Sequence, residues 1–417
     1  MSGVTPIVWL SRRSQLVIET NTVPSLRTIN ENVDVKGKRI LVRIDGDVAI
    51  EDGEVEPGGE VRLFSCADTI KDIISRGARV ILMTHLGRPC GKVDEKLSVK
   101  IIAQKLAEHL GVPIKVMNGI VGAEVTEAVG ALQDGEIIFL ENLRFDKREE
   151  ANDVGFAKEL AVLGDIYVNE SFANSHRSHA SVLGITQFLP SYAGLHFTNE
   201  VTVLEKAMSN PKKPIVAAIS GAKIETKAAL LKNLLPQVDQ LITGGGVANM
   251  FIQAQGSQIG NSISEPGMLS FVKDLLKQYD GKIHIPKDVR VLRTDAKTGE
   301  EKVLVLESGK VTSEDAIYDI GPETSKDYAK VIDGAGTCVW NGPMGKTELS
   351  DFMEGTRELA KAMHAAHVYA VVGGGDTVIA LYKMNLIDGF QHISTGGGAM
   401  IALLEGDKMP VIEALRS

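Results

Sequence analysis

From Lys38 onward the chain alternates short, β-rich apolar runs with stretches whose apolar residues recur every three or four positions. Arg39-Ile40-Leu41-Val42-Arg43-Ile44 predicts a strand, and segment 63–76 then carries Leu63, Ala67, Ile70, Ile73 and Ile74 on one helical face. A buried strand follows at Arg79-Val80-Ile81-Leu82-Met83. The cycle repeats as a helix over 98–110, a strand over 137–140, a helix over 155–163 and a strand over 165–168. A second series begins after Asn210-Pro211-Lys212-Lys213-Pro214, with a strand over 215–219, a helix over 226–235 and a strand over 240–243. Further strands are predicted over 337–340 and 368–372, and the last near His392. Strands separated by helical segments specify parallel sheets with crossover helices, so the expected fold is α/β, with two doubly wound parallel-sheet domains. The boundary is expected near Leu189-Pro190-Ser191, with a hinge helix over 199–209 bridging the halves.

Three predicted strands run into glycines and then into helices: Gly244-Gly245-Gly246, Gly373-Gly374-Gly375 and Gly396-Gly397-Gly398. Without a Cβ, backbone N–H groups crowd against an anion at the positive end of a helix. Tight αβ turns also use glycine. Three runs after three strands favour a phosphate site.

At 417 residues the chain exceeds what one core normally serves, which agrees with two domains. A net charge of -9 argues against a general nucleic-acid or anionic-membrane binder, though it permits a local basic cleft. Cys66, Cys90 and Cys338 lie far apart, without a Cys-x-x-Cys pair, so neither a disulfide framework nor a cysteine zinc site is expected, and the compartment reads as reducing. No run approaches the roughly 18 apolar residues that span a bilayer. The first 33 residues lack the apolar block of a secretory signal; Arg12, Arg13 and Arg27 weakly suggest a transit peptide, whereas Ile7-Val8-Trp9-Leu10 and Leu16-Val17-Ile18 read as short strands.

Ligands of doubly wound sheets sit beyond the carboxyl ends of the strands. In the first half those positions are cationic: Arg43-Ile44-Asp45, Thr84-His85-Leu86-Gly87-Arg88-Pro89, Asn142-Leu143-Arg144-Phe145 and Ser175-His176-Arg177-Ser178-His179, with Arg62 expected to open a helix. Guanidinium groups converging on one cleft recruit a small polyanion. His176 and His179 have metal-pair spacing but no completing ligand, so an anion-contacting or hydrogen-bonding role is expected for them and for His85. In the second half, Lys223 of Ser220-Gly221-Ala222-Lys223 and Lys227 are expected on one helix face, toward the phosphates of a nucleotide. Gly345-Lys346-Thr347 resembles the end of a P-loop, but that pattern needs glycine where Trp340 stands. Gly334-Ala335-Gly336 fails as a dinucleotide fingerprint, because no third glycine follows and the run precedes a strand.

His85-Leu86-Gly87-Arg88-Pro89, Leu140-Glu141-Asn142-Leu143-Arg144-Phe145, Trp340-Asn341-Gly342-Pro343-Met344-Gly345, Gly373-Gly374-Gly375-Asp376-Thr377 and Ser394-Thr395-Gly396-Gly397-Gly398-Ala399 occur in this order. Together they resemble the signatures of phosphoglycerate kinases, from about Lys36 to the carboxyl terminus. The resemblance implies two Rossmann-like domains joined by a hinge helix: 1–190 for phosphoglycerate, 191–404 for the nucleotide, and a tail, 405–417, returning to the first. It implies Mg2+ and ATP or ADP, small-molecule partners (3-phosphoglycerate and 1,3-bisphosphoglycerate) rather than nucleic acid or membrane, a monomer, and a cytoplasmic location. By the same resemblance Asp45, Asp47, Arg62, His85, Arg88, Arg144 and Arg177 form the phosphoglycerate site. Gly221, Ala222, Lys223, Lys227, Gly245, Asn341, Pro343 and Gly345 serve the nucleotide, as do Glu348 on the ribose and Gly373, Gly374, Gly375, Asp376 and Thr377, with Asp376 a magnesium ligand. Arg62, Lys223, Gly374 and Gly397 are the implied catalytic groups.

The chemistry suits such residues, because the reacting carboxylate is already ionised and needs no general base. Four places depart from the family pattern: Asp47 for an asparagine, Ser220 for a glycine, Lys346-Thr347 for a Val-Phe pair, and Asn169-Glu170-Ser171-Phe172-Ala173 for Asn-Asp-Ala-Phe-Gly. Asp47 and Ser220 motivate an alternative, a catalytically impaired nucleotide-binding regulator on the same scaffold; a different small phosphoacid as acceptor is a second.

Overall fold

The computed structural model describes residues 25–416 except Asp52 and Asn210. The short strands expected at Ile7-Val8-Trp9-Leu10 and Leu16-Val17-Ile18 lie outside the described residues. The first series forms β1 (Arg39–Arg43), a hairpin of β2 (Ile50–Glu51) and β3 (Glu54–Val55), α1 (Pro57–Phe64), α2 (Ala67–Ser75), β4 (Arg79–Met83), α3 (Lys100–Leu110) and β5 (Ile114–Val116). It continues with α4 (Ala123–Ala131), β6 (Ile137–Phe139), α5 (Val154–Ala161), β7 (Ile166–Asn169) and β8 (Ser191–Ala193). Six of these strands form a parallel sheet in the order β5-β6-β4-β1-β7-β8. Ile40, Val42, Val80 and Leu82 pack on one face with Ile70 and Ile102 of the helices, and Leu41, Ile81 and Met83 pack on the other with Val125 and Phe156. Burial on both faces is why these strands read as continuous apolar runs.

After α6 (Leu195–Ser209) come β9 (Ile215–Ile219), α7 (Ala228–Leu234), β10 (Gln240–Thr243), α8 (Gly245–Ala254), α9 (Leu269–Gln278), β11 (Ile283–His284), β12 (Asp288–Thr294), β13 (Glu301–Glu307) and β14 (Asp315–Ile320). The rest is α10 (Pro322–Asp333), β15 (Thr337–Asn341), α11 (Glu354–Ala366), β16 (Tyr369–Gly373), α12 (Gly375–Lys383), β17 (His392–Ser394), α13 (Gly397–Leu404) and α14 (Pro410–Ala414). A second parallel sheet runs β11-β10-β9-β15-β16-β17, which gives two Rossmann-like lobes. An antiparallel sheet, β13-β12-β14, is added beside it, in a stretch for which no strand was predicted.

Several expectations need correction. The helix over 63–76 is two helices, because Ser65 Oγ donates to Arg62 O (2.7 Å) and Cys66 Sγ to Leu63 O (3.2 Å), capping the carbonyls of α1. Arg62 therefore lies in the last turn of α1 and does not open a helix. Lys223 and Lys227 share no helix face: Lys223 lies in the loop before a 3-10 turn, Glu225–Lys227, and α7 starts only at Ala228. Beyond the expected boundary, β8 still pairs with β7, Tyr167 opposite Ser191, so the first sheet extends to Ala193. The hinge helix starts at Leu195 and not at residue 199, since Thr69 Oγ1 accepts from Leu195 N (2.9 Å) and the Glu170 carboxylate from Phe197 N (2.8 Å). Those caps come from distant chain segments, which local periodicity does not register.

Candidate active site

Each glycine run does join a strand to a helix: β10 to α8, β16 to α12 and β17 to α13. At the second, Gly374 has φ 100°, a left-handed backbone that glycine adopts freely, and a Cβ there would lie 3.1 Å from Asn341 Nδ2. Gly373, buried behind it, accepts from Asn341 Nδ2 (3.2 Å). The other end of that amide is engaged too, since Lys227 Nζ donates to Asn341 Oδ1 (2.7 Å). Burial lowers the Lys227 pKa. Thr377 is buried, and its Oγ1 accepts from Gly342 N (3.0 Å), tying this second turn region to the first residue after β15.

These groups open on a cavity of about 470 Å³ lined by Lys223, Lys227, Asn341, Gly374, Gly375, Thr377 and Gly397. It continues through Gly221, Ala222, Pro343 and Asp376, common to both, into a cavity of about 420 Å³ that Gly245, Gly345 and Glu348 line. One end is thus amide- and ammonium-rich, the other more apolar, with Ile263, Ile317 and Tyr318. That is the polarity of a phosphate chain followed by a nucleoside.

On the first lobe Asp45 is 2% exposed, and neither carboxylate oxygen has a hydrogen-bond partner; its neighbour is Arg62, Nε to Oδ2, at 3.3 Å. Arg62 reaches across to the second lobe, donating from Nη1 to Asp47 O (2.8 Å) and from Nη2 to Thr395 O (2.9 Å), and it also lines the 470 Å³ cavity. Arg144 donates to Gly87 O (2.8 Å) and lies 3.1 Å from a Glu150 oxygen; burial and the positive field of Arg177 lower its pKa. Arg88 is exposed on the loop that Arg144 holds. Asn142 joins that loop to Arg144, accepting from Leu86 N (3.2 Å) and Arg144 N (3.1 Å) and donating to Leu86 O (2.7 Å).

A family model described as phosphoglycerate kinase matches residues 30–407. A phosphoglycerate kinase of Moorella thermoacetica is 42% identical over 388 residues, covering 92% of this chain and 98% of that protein. Among solved structures, phosphoglycerate kinase from Coxiella burnetii superposes with a TM-score of 0.79 at 38% identity, covering 92% of this chain and 97% of that one. The enzyme from Pyrococcus horikoshii OT3 gives 0.83 at 30% identity, with coverages of 93% and 98%. The chain belongs to the phosphoglycerate kinase family. Its activity is that of a glycolytic phosphotransferase with a carboxyl group as acceptor, and nothing favours the impaired-regulator alternative.

Within that family frame the departures acquire physical content. Asp47 does not point freely into the cleft: Oδ1 accepts from Gly87 N (2.9 Å) and Oδ2 lies 3.4 Å from His85 Nε2. Burial opposes the Asp47 charge, but the histidine and the amide overcome it and hold the pKa below the carboxylate range. Arg43 donates from Nη2 to His85 Nδ1 (2.7 Å); a guanidinium only donates, so Nε2 carries the ring proton toward Asp47. Burial pushes His85 down to about 3, so it is neutral at pH 7, with both nitrogens engaged inside the protein. His179 is likewise held down, to about 4, by burial and the surrounding arginines. Ser220 is buried, and its hydroxyl donates to Pro343 O (2.5 Å). Glu170, in the fourth departure, caps α6.

Sequence reading missed the interlobe contacts of α6. Glu200, fully buried, accepts from Thr395 N (2.7 Å) and lies 2.7 Å from His392 Nε2 and 3.4 Å from His196 Nε2. A glutamate among the apolar residues of a predicted hinge helix was the available signal. Arg43, seen only as a strand-end cation, is a buried support for His85.

Proposed function

We propose that the lobe built on the first sheet binds 3-phosphoglycerate or 1,3-bisphosphoglycerate, that the second binds ADP or ATP, and that the phosphoryl group crosses between Arg62 and the glycine turns. One observation carries this reading: Arg62, rooted beside Asp45, lines the same cavity as Gly374, Gly375 and Gly397. Arg88, Arg144 and Arg177 bind the remote phosphate of the acid, while Asp45, with unpartnered buried oxygens, accepts from its hydroxyl. His85 contributes by orienting Asp47 and the Gly87 turn, being neutral.

The substrate carboxylate attacks already ionised, so the protein supplies position and positive charge. Arg62 and Lys223 neutralise the charge on the phosphoryl oxygens, and the amides of Gly374, Gly375 and Gly397 add preorganised donors. Lys227 and Asn341 place the phosphate chain, Glu348 takes the ribose hydroxyls, and closure about α6 excludes water from the acyl phosphate.

Mg2+ fits the residues present. Asp376 is an exposed carboxylate in the first turn of α12 that lines both cavities. Among the described residues no cluster of three or more metal-binding side chains exists, which suits an ion completed by phosphate oxygens and water. When bound, the ion would neutralise phosphate charge. Three free cysteines, two of them buried, accord with a reducing compartment, and we place the enzyme in the cytoplasm, acting as a monomer.

Replacing Arg62 by alanine tests the assignment in a coupled assay. Turnover is expected to fall by about 10³ or more, with ADP affinity by calorimetry within about twofold of the parent. Turnover close to the parent's would reject the role.

A further inference from the structure

Two guanidinium groups of the first lobe repel each other and stand on separate segments of chain. Arg144 lies in a 3-10 turn, Leu143–Phe145, after β6, while Arg177 lies in the connection between β7 and β8, and its positive field reaches Arg144. Glu149, fully buried in the turn that follows Arg144, clips the two segments together. Its backbone oxygen accepts from Ala180 N (2.9 Å), its Oε2 from Ser181 N (2.9 Å) and its Oε1 from Ser181 Oγ (2.5 Å).

The same hydroxyl reaches a third segment. Arg43, at the end of β1 and also fully buried, donates from Nε to Ser181 Oγ (3.0 Å) and from Nη2 to His85 Nδ1 (2.7 Å). A guanidinium only donates, so the hydroxyl proton is directed at Glu149, and both carboxylate oxygens act as acceptors. The carboxylate thus answers the buried Arg43 charge through the serine hydroxyl. Burial raises the Glu149 pKa, while Arg43 and the two Ser181 donors oppose the rise. Glu149 and Ser181 are both fully buried, so they act through Arg43, Arg177 and His85 and not by touching substrate.

We propose that Glu149, with Ser181, is a positioning residue for the acid-binding cleft, holding the Arg177 segment against the Arg144 segment and, through Arg43, keeping His85 and Asp47 in line. The proposal rests on the reading of the first lobe as the phosphoglycerate site. Its test is steady-state kinetics of the full chain carrying Glu149→Gln, which keeps the side chain's size but loses the charge and one acceptor, or Ser181→Ala, which removes a single oxygen and is expected to fold. In both, KM for 3-phosphoglycerate is expected to rise about tenfold, within the roughly hundredfold that a misplacement of about 1 Å can cost. Both kcat and KM for ATP are expected within about twofold of the parent's, since Arg62, Lys223 and the Gly374 turn lie on other segments. A side chain that only holds the fold together would lower Tm without that split. An unmoved KM for 3-phosphoglycerate in the Ser181→Ala enzyme, or an equal rise for both substrates, overturns the proposal. Calorimetry with Arg144→Ala separates the failures: 3-phosphoglycerate affinity lost there but kept in Ser181→Ala sinks this inference alone, whereas parent-like affinity in Arg144→Ala sinks the site reading beneath it.

Discussion

Asp47 places a negative charge in the lobe proposed to bind the anionic acid, and the structure explains how it persists. Arg43, His85 and Asp47 form a chain in which a buried guanidinium is linked to a carboxylate through a neutral imidazole. Asp47→Asn keeps an acceptor for Gly87 N while removing the charge. The expected result is 3-phosphoglycerate binding about fivefold tighter, on the order of 1 kcal/mol for one like charge in a half-exposed site, read by calorimetry. Equal or weaker binding would mean that the carboxylate is needed to orient His85. At this scale the strand-end arginines and the glycine runs are visible in the sequence as residue types, and the structure brings Arg62 and two of the glycine turns to one cavity. The sequence did not disclose that His85 is neutral and internally bonded, because that depends on Arg43 reaching it from another strand.

The elements that matter most are strand-to-helix turns. At the N-cap of α12 the left-handed Gly374 lines the cavity with Gly375, and a side chain there meets Asn341 Nδ2 at 3.1 Å and Thr377 Oγ1 at 3.3 Å. Gly374→Ala is therefore expected to weaken ADP binding about tenfold, about 1.4 kcal/mol, with little change in Tm. Unaltered ADP affinity would show that the turn tolerates a Cβ. Because strands buried on both faces leave unbroken apolar runs, periodicity located nine of the twelve parallel strands, missing the edge strands β5, β8 and β11. It misjudged the helix over 63–76, whose break at Ser65 and Cys66 is made by side chains bonding to the backbone of the same segment. It also passed over β12 to β14, in which Val303 and Val305 of β13 are partly exposed and the burial pattern alternates.

Across the whole molecule, α6 carries the interlobe load. Glu200 is held down at about 2 by hydrogen bonds from His196 and His392, which overcome its burial. A carboxylate with a depressed folded pKa contributes stability above its ordinary pKa of 4.5 and loses it as pH falls toward 2. His196, raised by Glu200, works in the opposite sense, its share being lost as pH rises through its folded value. Glu200→Gln is expected to lower stability by on the order of 3 kcal/mol at pH 7 and to flatten the acid limb of stability between pH 4.5 and 2, measured by urea unfolding. An acid limb as steep as the parent's would remove Glu200 from that role. The first and last described segments also meet at this level: Arg27 N donates to Leu415 O (2.8 Å), and Val411, Ile412 and Leu415 enter the same core as Phe172, Phe197 and the β9 residues.

The sequence by itself determined the alternation of strands and helices, the parallel sheets and the placing of glycines and cations at strand ends, because each depends on residues within one turn or one pleat. Only the tertiary structure decided that Arg62 spans both lobes, that His85 is uncharged and that Glu200 ties α6 to Thr395, because each depends on burial and on partners far away in the chain.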